Sequence, residues 1–293
     1  MPELPEVEIA ARNLSRWTPA RRIEAIDPDP RARYVFRPAT PAAFARALEG
    51  ARFAAIRRIG KQLLMTLEKD GAPVGLFAHL GMTGKWVRRE GDGDPPRFSR
   101  CRFRLDDGAA LHFVDMRLFG RLRVVPGARF DALPEVAALG PDPLTDGIDG
   151  ARLAAALARS RQPVKVRMLD QRLLPGVGNI YASEALWRAR IDPRREARAL
   201  APAEVARLAE AVLASVREAI ARDDGPENTN VEEPGAENPF LVYGHEGEPC
   251  RRDDGGEIRR IVQAARSTYF CPRCQDGATG RARPGARRSR RRR

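Results

Sequence analysis

The sequence predicts an α+β protein built from several domains. Its 293 residues exceed the usual size of one domain. Short strand-like runs fill the chain up to about residue 125, whereas apolar residues recur at helical spacing after Gly150. Near the C-terminus, three of the four cysteines cluster beside two short strand candidates. We therefore expect an N-terminal β-sandwich with a flanking helix, then a helical domain, then a C-terminal β-hairpin clipped by a metal ion.

Two stretches of the chain carry helical periodicity. The first begins almost at residue 5, where Pro5 and an acidic first turn precede apolar residues spaced by three or four positions over 7–17. The second stretch follows Gly150. Its apolar positions are Leu153, Leu157, Val205, Leu208, Val212, Val216 and Ile220.

Between about residues 22 and 125 the pattern is instead typical of strands separated by turn clusters. The clearest strand candidates are Gln62–Glu68, Arg100–Leu105 and Leu111–Val114. Two further candidates, Arg259–Val262 and Thr268–Phe270, lie beside the cysteine cluster. Because the strands precede the helices, we expect them to form a separate domain.

These patterns divide the chain into six segments. We expect the β-sandwich domain at residues 1–130, a Pro- and Gly-containing linker at 131–150, and the helical domain at 151–225. A loop without periodicity follows at 226–243, then the cysteine hairpin at 244–279 and an arginine-rich tail at 280–293. The tail is predicted to be disordered, because eight arginines and no acid lie within it.

The charge of the chain indicates a polyanionic partner. The formal net charge is +13 and the isoelectric point is about 10.6. The arginine-rich tail carries eight of these charges, which leaves a moderate excess of +5 on the preceding 280 residues. We expect the tail to add nonspecific affinity for phosphate through counterion release.

The composition excludes several classes of protein. No run approaches the roughly 18 apolar residues that would span a bilayer. Four cysteines are too few for a secreted fold stapled by disulfides, and Cys101 is interpreted as an ordinary half-buried residue. Glu3, Glu6 and Glu8 interrupt the N-terminus, which therefore lacks the apolar core of a signal peptide. We expect a protein that stays in the cytoplasm.

The N-terminus itself can carry chemistry. A small second residue permits removal of Met1, which would expose the secondary amine of Pro2. An α-amino group has a pKa of roughly 7.7 to 8.0, so an appreciable fraction is neutral and nucleophilic near pH 7. Glu3 lies beside it, where a carboxyl group can move protons. The alternative interpretation is that Pro2 and Pro5 only shape the entry to the first helix.

The opening Pro2-Glu-Leu-Pro-Glu6 resembles the start of the bacterial formamidopyrimidine-DNA glycosylases, and similar motifs follow in the order of that family as far as about residue 274. They are Arg57-Arg-Ile-Gly-Lys61, His79-Leu-Gly-Met-Thr-Gly84, Asp115-Met-Arg-Leu-Phe-Gly120, Gly176-Val-Gly-Asn-Ile-Tyr-Ala-Ser-Glu184, Gly247-Glu-Pro-Cys250 and Thr268-Tyr-Phe-Cys-Pro-Arg-Cys274. The resemblance implies a catalytic N-terminal domain, a helix-two-turn-helix domain that binds DNA, a lesion-capping loop and a zinc finger. In the N-terminal domain it implies that Lys61 lies in a hairpin and that residues 79–84 and 115–120 form the first and second intercalation loops.

The resemblance further implies a monomeric enzyme of base excision repair, acting on damaged double-stranded DNA in the nucleoid. Pro2 would attack the sugar C1′ of the damaged nucleotide, expel the base and form an imine, and β,δ-elimination would then cut the strand. The catalytic residues implied are Pro2, Glu3, Lys61 and Arg266, of which the last two hold phosphates. The expected substrates are oxidised purines, namely formamidopyrimidine and 8-oxoguanine.

The same resemblance implies a set of residues that contact DNA. Met82, Arg117 and Phe119 would fill the gap left by the extruded base, since apolar wedges replace lost stacking and an arginine can bond the orphaned partner. Asn179 stands at the start of a helix whose N–H groups favour a phosphate. His79 and Lys165 complete the implied set. From spacing alone, core packing would explain Met82 and Phe119, and a turn would explain the glycines before Asn179.

The cysteine hairpin departs from the family pattern of two Cys-x-x-Cys pairs. The first pair here reads Cys250-Arg-Arg-Asp253, so one thiolate is missing. A carboxylate can bind zinc, and we expect one structural Zn²⁺ on Cys250, Asp253, Cys271 and Cys274. The alternative is a finger that binds metal weakly or not at all and is held by hairpin packing.

Two other departures leave the substrate open. The predicted lesion-capping loop is acidic and lacks the usual Gly-Gly-Thr-Thr-type segment of the family, and Leu118 replaces a basic residue that is common in the second intercalation loop. One alternative is therefore a specificity like that of endonuclease VIII for oxidised pyrimidines or another lesion. A noncatalytic DNA-binding homologue is a second alternative, although Pro2, Glu3 and Lys61 are intact.

Overall fold

The computed structural model describes residues 2–91, 93–223, 225 and 238–275. Its N-terminal part contains two four-stranded antiparallel sheets, with strand orders β1-β6-β7-β5 and β2-β3-β4-β8. The strands are β1 (Ile23–Pro28), β2 (Arg52–Ile59), β3 (Gln62–Lys69), β4 (Ala72–His79), β5 (Lys85–Glu90), β6 (Ser99–Leu105), β7 (Ala109–Val114) and β8 (Arg121–Pro126). This arrangement confirms the β-sandwich that the sequence predicted.

One hydrophobic core joins the two sheets to the helices that flank them. The helices are α1 (Leu4–Trp17) and α2 (Pro41–Leu48). In α1, Val7 and Leu14 are fully buried in this core, as their spacing predicted. The centre is aromatic, with ring centroids between 4.9 and 6.2 Å apart, because large rings fill the space between two sheets. The rings belong to Phe36, Phe44, Trp86, Phe103 and Phe113.

The second half of the chain is helical, as predicted. Its helices are α3 (Pro134–Ala137), α4 (Gly150–Ala158), α5 (Val164–Met168), α6 (Asn179–Arg188) and α7 (Pro202–Arg222). Asp149 caps α4, because its carboxylate accepts the N–H groups of Ala151 and Arg152. The apolar stripe of α7 is buried at every position that the periodicity indicated, namely Val205, Leu208, Val212, Val216 and Ile220.

The C-terminal hairpin pairs β9 (Arg259–Gln263) with β10 (Arg266–Phe270). Gln263 pairs with Arg266, so only Ala264 and Ala265 form the turn, and both have positive φ. A two-residue turn of this kind follows the twist of its strands. It places Arg266 at the first position of β10.

The α+β multidomain class predicted from the sequence is therefore confirmed. Residues 226–237 of the predicted loop and the whole of the predicted tail, 280–293, lie outside the described residues. Within the described ranges, no helix combines the length and the apolar character needed to cross a membrane.

Candidate active site and metal cluster

Glu3 caps the start of α6 from the other half of the molecule. Its side chain is buried, with 1% of the residue exposed. One oxygen accepts the N–H groups of Gly178 at 2.9 Å and Tyr181 at 3.2 Å, and the other accepts the N–H of Ile180 at 2.9 Å. The exposed N–H groups and the dipole of a helix N-terminus stabilise a negative charge. The sequence predicted that N–H groups at this helix start favour a phosphate; those of Gly178, Ile180 and Tyr181 bind the Glu3 carboxylate instead, and a phosphate contact at Asn179 stays a prediction.

Gly178 is the point where Glu3 and Lys61 meet. A Cβ at this position would lie 2.4 Å from Cδ of Glu3 and 2.6 Å from Nζ of Lys61, so only glycine fits. Lys61 lies in the two-residue turn between β2 and β3, where the sequence placed it. Burial lowers the pKa of Lys61 and Arg266 lowers it further, while the charges of Glu3 and Glu6 oppose that change. Pro2, next to Glu3, is buried as well.

A buried ion pair that sequence reasoning missed holds the Lys61 turn in place. Arg58 donates two hydrogen bonds to Asp142, at 2.5 and 2.7 Å, and both side chains are at most 3% exposed. Asp142 also accepts the N–H of Gly60 at 2.6 Å, and Arg58 donates to the Gly60 carbonyl at 3.0 Å. Glu8 of α1 binds the same guanidinium at 2.8 Å. Asp142 lies in the segment 131–150, which was predicted to be a linker. This segment therefore holds Gly60, the residue immediately before Lys61, in place.

Four of the predicted site residues line one cleft of about 230 Å³ between the N-terminal sheets, the helical half and the hairpin. They are Lys61, His79, Asn179 and Arg266. Nδ1 of His79 accepts the N–H of Gly81 at 3.0 Å, so the ring proton of the neutral form lies on Nε2. Burial, together with the charges of Lys61 and Arg121, lowers the pKa of His79 to about 4. At neutral pH this histidine is therefore an uncharged hydrogen-bond donor.

Asn179 joins the helical half to the hairpin. Its amide nitrogen donates to the Ser267 carbonyl at 2.8 Å and to the Tyr243 hydroxyl at 3.4 Å, and its amide oxygen accepts Nζ of Lys165. Lys165 is fully buried and donates weakly to Ser267 as well. Burial and the charge of Arg266 lower the pKa of Lys165 to about 8. The structure thus places Lys165 behind Asn179 and away from the surface, and its DNA contact stays a prediction.

The two predicted intercalation loops are held together by Asp115. Its carboxylate accepts the Thr83 hydroxyl at 2.6 Å and the N–H of Gly120 at 2.7 Å. Gly81 has a φ of +64°, and a Cβ there would lie 2.5 Å from the Phe119 backbone, so the loops touch at a position that requires glycine. The first loop therefore cannot move independently of the second.

These loops present three predicted contact residues. Phe119 is 52% exposed, and the Arg117 guanidinium lies 5.1 Å from its ring centroid, so core packing does not explain Phe119. Met82 is half-buried. Leu118 packs against the core of the sandwich, which accounts for an apolar residue at that position.

The metal cluster consists of Cys250, Asp254, Cys271 and Cys274, whose ligand atoms lie within 4.8 Å of one another. The sulfurs of Cys250 and Cys274 are 3.9 Å apart, close to the roughly 3.8 Å edge of a tetrahedron with Zn–S bonds of about 2.3 Å. Three thiols and a carboxylate fit one structural Zn²⁺. The sequence-based choice of Asp253 is corrected to Asp254: Asp253 has a φ of +50° and is exposed, whereas Asp254 Oδ2 lies 3.7 Å from Cys271 Sγ.

Substitution of the adjacent residues Asp253 and Asp254 tests which of the two carboxylates belongs to this cluster. We expect Asp254→Ala protein to hold zinc more weakly than wild type and to lose it to a chelator concentration that leaves wild type loaded, because water must replace the carboxylate in the fourth position. The Asp253→Ala protein should keep one equivalent, since that carboxylate is not in the cluster. Metal analysis of both proteins at that chelator concentration checks this. Normal zinc in the first and loss in the second would contradict the assignment.

Three family models match the chain. The formamidopyrimidine-DNA glycosylase N-terminal domain matches residues 1–122, the H2TH domain of the same enzyme matches 139–230, and the zinc finger found in FPG and IleRS matches 247–277. The chain is 42% identical to the formamidopyrimidine-DNA glycosylase of Paracoccus denitrificans and 40% identical to that of Desulfitobacterium hafniense. Each alignment covers 94% of this chain and 100% of the relative.

Solved structures show the same likeness. The MutM (Fpg) protein of Thermus thermophilus has a TM-score of 0.77 at 36% identity, over 94% of this chain and 99% of that one. Lactococcus lactis Fpg in complex with DNA that contains an abasic site has a TM-score of 0.81 at 28% identity, with the same coverage. A complex of Lactococcus lactis Fpg with DNA containing Fapy-dG scores 0.80 at 29% identity, over 94% and 100% of the two chains. The chain belongs to the formamidopyrimidine-DNA glycosylase family.

Proposed function

We propose that this protein excises oxidised purines from double-stranded DNA and then cuts the strand at the resulting abasic site, with Pro2 as the nucleophile. The observation that supports this most is the meeting of the Glu3 carboxylate and the Lys61 ammonium over Gly178, with buried Pro2 adjacent. Relatives of similar length are named formamidopyrimidine-DNA glycosylase, and a similar chain was solved with abasic-site DNA. A monomer acting on nucleoid DNA in the cytoplasm is part of this proposal.

The chemistry begins after removal of Met1. The lone pair of the Pro2 nitrogen attacks C1′, the electrons of the glycosidic bond leave with the base, and the nitrogen gives up its proton. Protonation of the ring oxygen then opens the sugar and leaves an iminium, whose electron demand permits elimination of the 3′ and then the 5′ phosphate. Glu3 is the group next to this nitrogen that can carry the protons.

Lys61 lies beside Glu3 over Gly178, where its side chain lines the cleft. Burial lowers the pKa of Lys61, while the charges of Glu3 and Glu6 oppose that change. A phosphate bound in the cleft would add a further negative charge, which favours the ammonium form of Lys61.

In this proposal the residues that line the cleft bind the DNA backbone. Lys61, Arg266 and the Nε2–H of His79 face one cleft and can donate to the phosphates beside the lesion. Asn179 lines the same cleft, where buried Lys165 and the Ser267 carbonyl fix the orientation of its amide. Met82, Arg117 and Phe119 would enter the stack where the damaged base leaves.

A panel of duplexes, each with one lesion, tests the substrate. We expect the fastest excision for formamidopyrimidine and for 8-oxoguanine opposite cytosine. A preference for oxidised pyrimidines would overturn this choice and support the alternative specificity, for which the unusual sequence of 225–240 gives a reason.

A further inference from the structure

Arg252 lies between the metal cluster and the end of α6. Its Nη1 donates to the sulfur of Cys274 at 3.1 Å and to the Trp187 carbonyl at 2.7 Å, and Nη2 donates to the Arg188 carbonyl at 3.2 Å. The guanidinium carbon lies 3.8 Å from the centroid of the Trp187 ring. One side chain thus contacts a metal-ligating sulfur, two helix carbonyls and an aromatic face.

Each contact suits a guanidinium. The last carbonyls of a helix have no partner within the helix and carry its negative dipole end, so a cation stabilises them. Thiolates bound to a metal keep negative charge, which N–H donors stabilise. The guanidinium is planar and permanently charged, so it can stack on an indole ring while its N–H groups donate hydrogen bonds in its own plane. The ammonium of lysine cannot do both.

Trp187 of α6 also contacts the metal cluster directly. It is 7% exposed, and its Nε1 donates to the sulfur of Cys250 at 3.5 Å. The stacked pair of Arg252 and Trp187 therefore donates to two of the three cysteine sulfurs in the cluster. Metal loading, which turns these thiols into thiolates, strengthens both hydrogen bonds.

The opposite end of α6 carries groups of the active site. Its first turn donates to the Glu3 carboxylate, and Asn179 is its first residue. A helix of ten residues spans about 15 Å, and its internal hydrogen bonds join Trp187 to the turn that holds Glu3 and Asn179. One continuous helix therefore links the metal cluster to the active site.

We propose that Arg252 is a positioning residue that ties the metal cluster of the finger to α6, so that metal loading fixes the helix end which holds Glu3 and Asn179. Arg252 touches neither substrate nor the reacting atoms in this proposal. The inference rests on the proposed function only for its catalytic readout, because the metal readout is independent of activity.

The metal readout uses Co²⁺, added to metal-free protein and followed by its thiolate charge-transfer absorption. Loss of a hydrogen bond to a ligand typically weakens metal binding about 10- to 100-fold, and we expect this for Arg252→Met. We also expect a shifted charge-transfer band, since the Cys274 sulfur loses its donor. The control is Arg251→Met, because Arg251 is the exposed neighbour. Arg252→Lys should recover affinity only in part. Wild-type affinity and an unshifted band in Arg252→Met would overturn the proposal.

The coupling readout is the single-turnover cleavage rate on saturating abasic-site DNA, with and without bound metal. In wild type and Arg251→Met, metal removal should slow cleavage. In Arg252→Met, the loaded protein should already be slow and metal removal should add little, because both changes break the same connection. Multiplicative effects of the mutation and of metal removal would overturn the coupling. If wild type cleaves no DNA at all, the proposed function fails while the Co²⁺ result still decides the metal contact.

Discussion

The Glu3→Gln protein is expected to excise a damaged base about 10²- to 10⁴-fold more slowly than wild type at saturating DNA. Glutamine has the size of glutamate but cannot carry a proton between the amine and the sugar. It also suits the start of α6 poorly, because the carboxylate accepts three N–H groups through two oxygens, whereas the amide offers one oxygen and two donors. Single-turnover excision assays measure this loss.

Glu24→Gln is the matched control, since it removes the same charge from an exposed position of β1. It should excise at the wild-type rate. Thermal denaturation of both variants separates chemistry from folding: a buried N–H without an acceptor costs about 1–3 kcal/mol, which lowers the midpoint of Glu3→Gln without unfolding it at the assay temperature. If Glu3→Gln protein stayed within tenfold of the wild-type rate, Glu3 would have no role in proton transfer.

The Asp142→Asn protein is expected to lose about 3 kcal/mol of stability, the lower end of the cost of breaking a buried ion pair, because buried Arg58 then keeps only Glu8 as an opposite charge. At roughly 2–4 °C per kcal/mol, the melting midpoint should fall by on the order of 10 °C. The turn before Lys61 also loses its carboxylate acceptor, so cleavage should slow even well below the midpoint. Calorimetry and cleavage assays at low temperature measure the two effects.

The control for the Asp142 variant is the exposed ion pair that Arg57, the residue next to Arg58, forms with Asp131. Arg57 pairs at 3.2 Å with Asp131, which is 86% exposed, and a surface pair contributes about 0–1 kcal/mol. Asp131→Asn should therefore melt within a few degrees of wild type, as roughly 2–4 °C per kcal/mol implies. Equal midpoints for the two variants would show that Asp142 does not anchor the turn.

The pH dependence of the Asp142 effect has a defined sign. Burial alone would raise the pKa of Asp142, but the hydrogen bonds and charge of Arg58, together with the Gly60 and Thr145 N–H groups, lower it. A carboxylate with a lowered pKa stabilises the fold above its unfolded pKa of about 3.9, and this contribution is lost as pH falls through the folded value. The difference between wild type and Asp142→Asn should therefore persist at neutral pH and shrink below about pH 4.

Local patterns in the sequence predicted most of the elements. The first helix, the stripe of α7 and the strand pairs follow from spacing, because burial of one face produces that spacing. Lys61 was placed in a hairpin turn, and the structure has it between β2 and β3. Such features depend on residues that are near one another in the chain.

The contacts that organise the site were not predictable in this way. Arg58 and Asp142 are 84 positions apart, and nothing in either motif identifies the other as its partner. The start of α6 looked free for a phosphate because the sequence does not show that Glu3, 175 positions away, reaches Gly178. The choice between Asp253 and Asp254 depends on a single backbone turn at positive φ. Each of these is a consequence of tertiary packing.

The most direct test of the central claim is borohydride trapping on abasic-site DNA, followed by peptide mass mapping of the covalent adduct. The account predicts an adduct on the nitrogen of Pro2 in protein that has lost Met1, a much smaller yield for Pro2→Gly, and none for protein that keeps Met1. An adduct mapped to Lys61 or another lysine, or an undiminished yield from Pro2→Gly protein with Met1 removed, would contradict it.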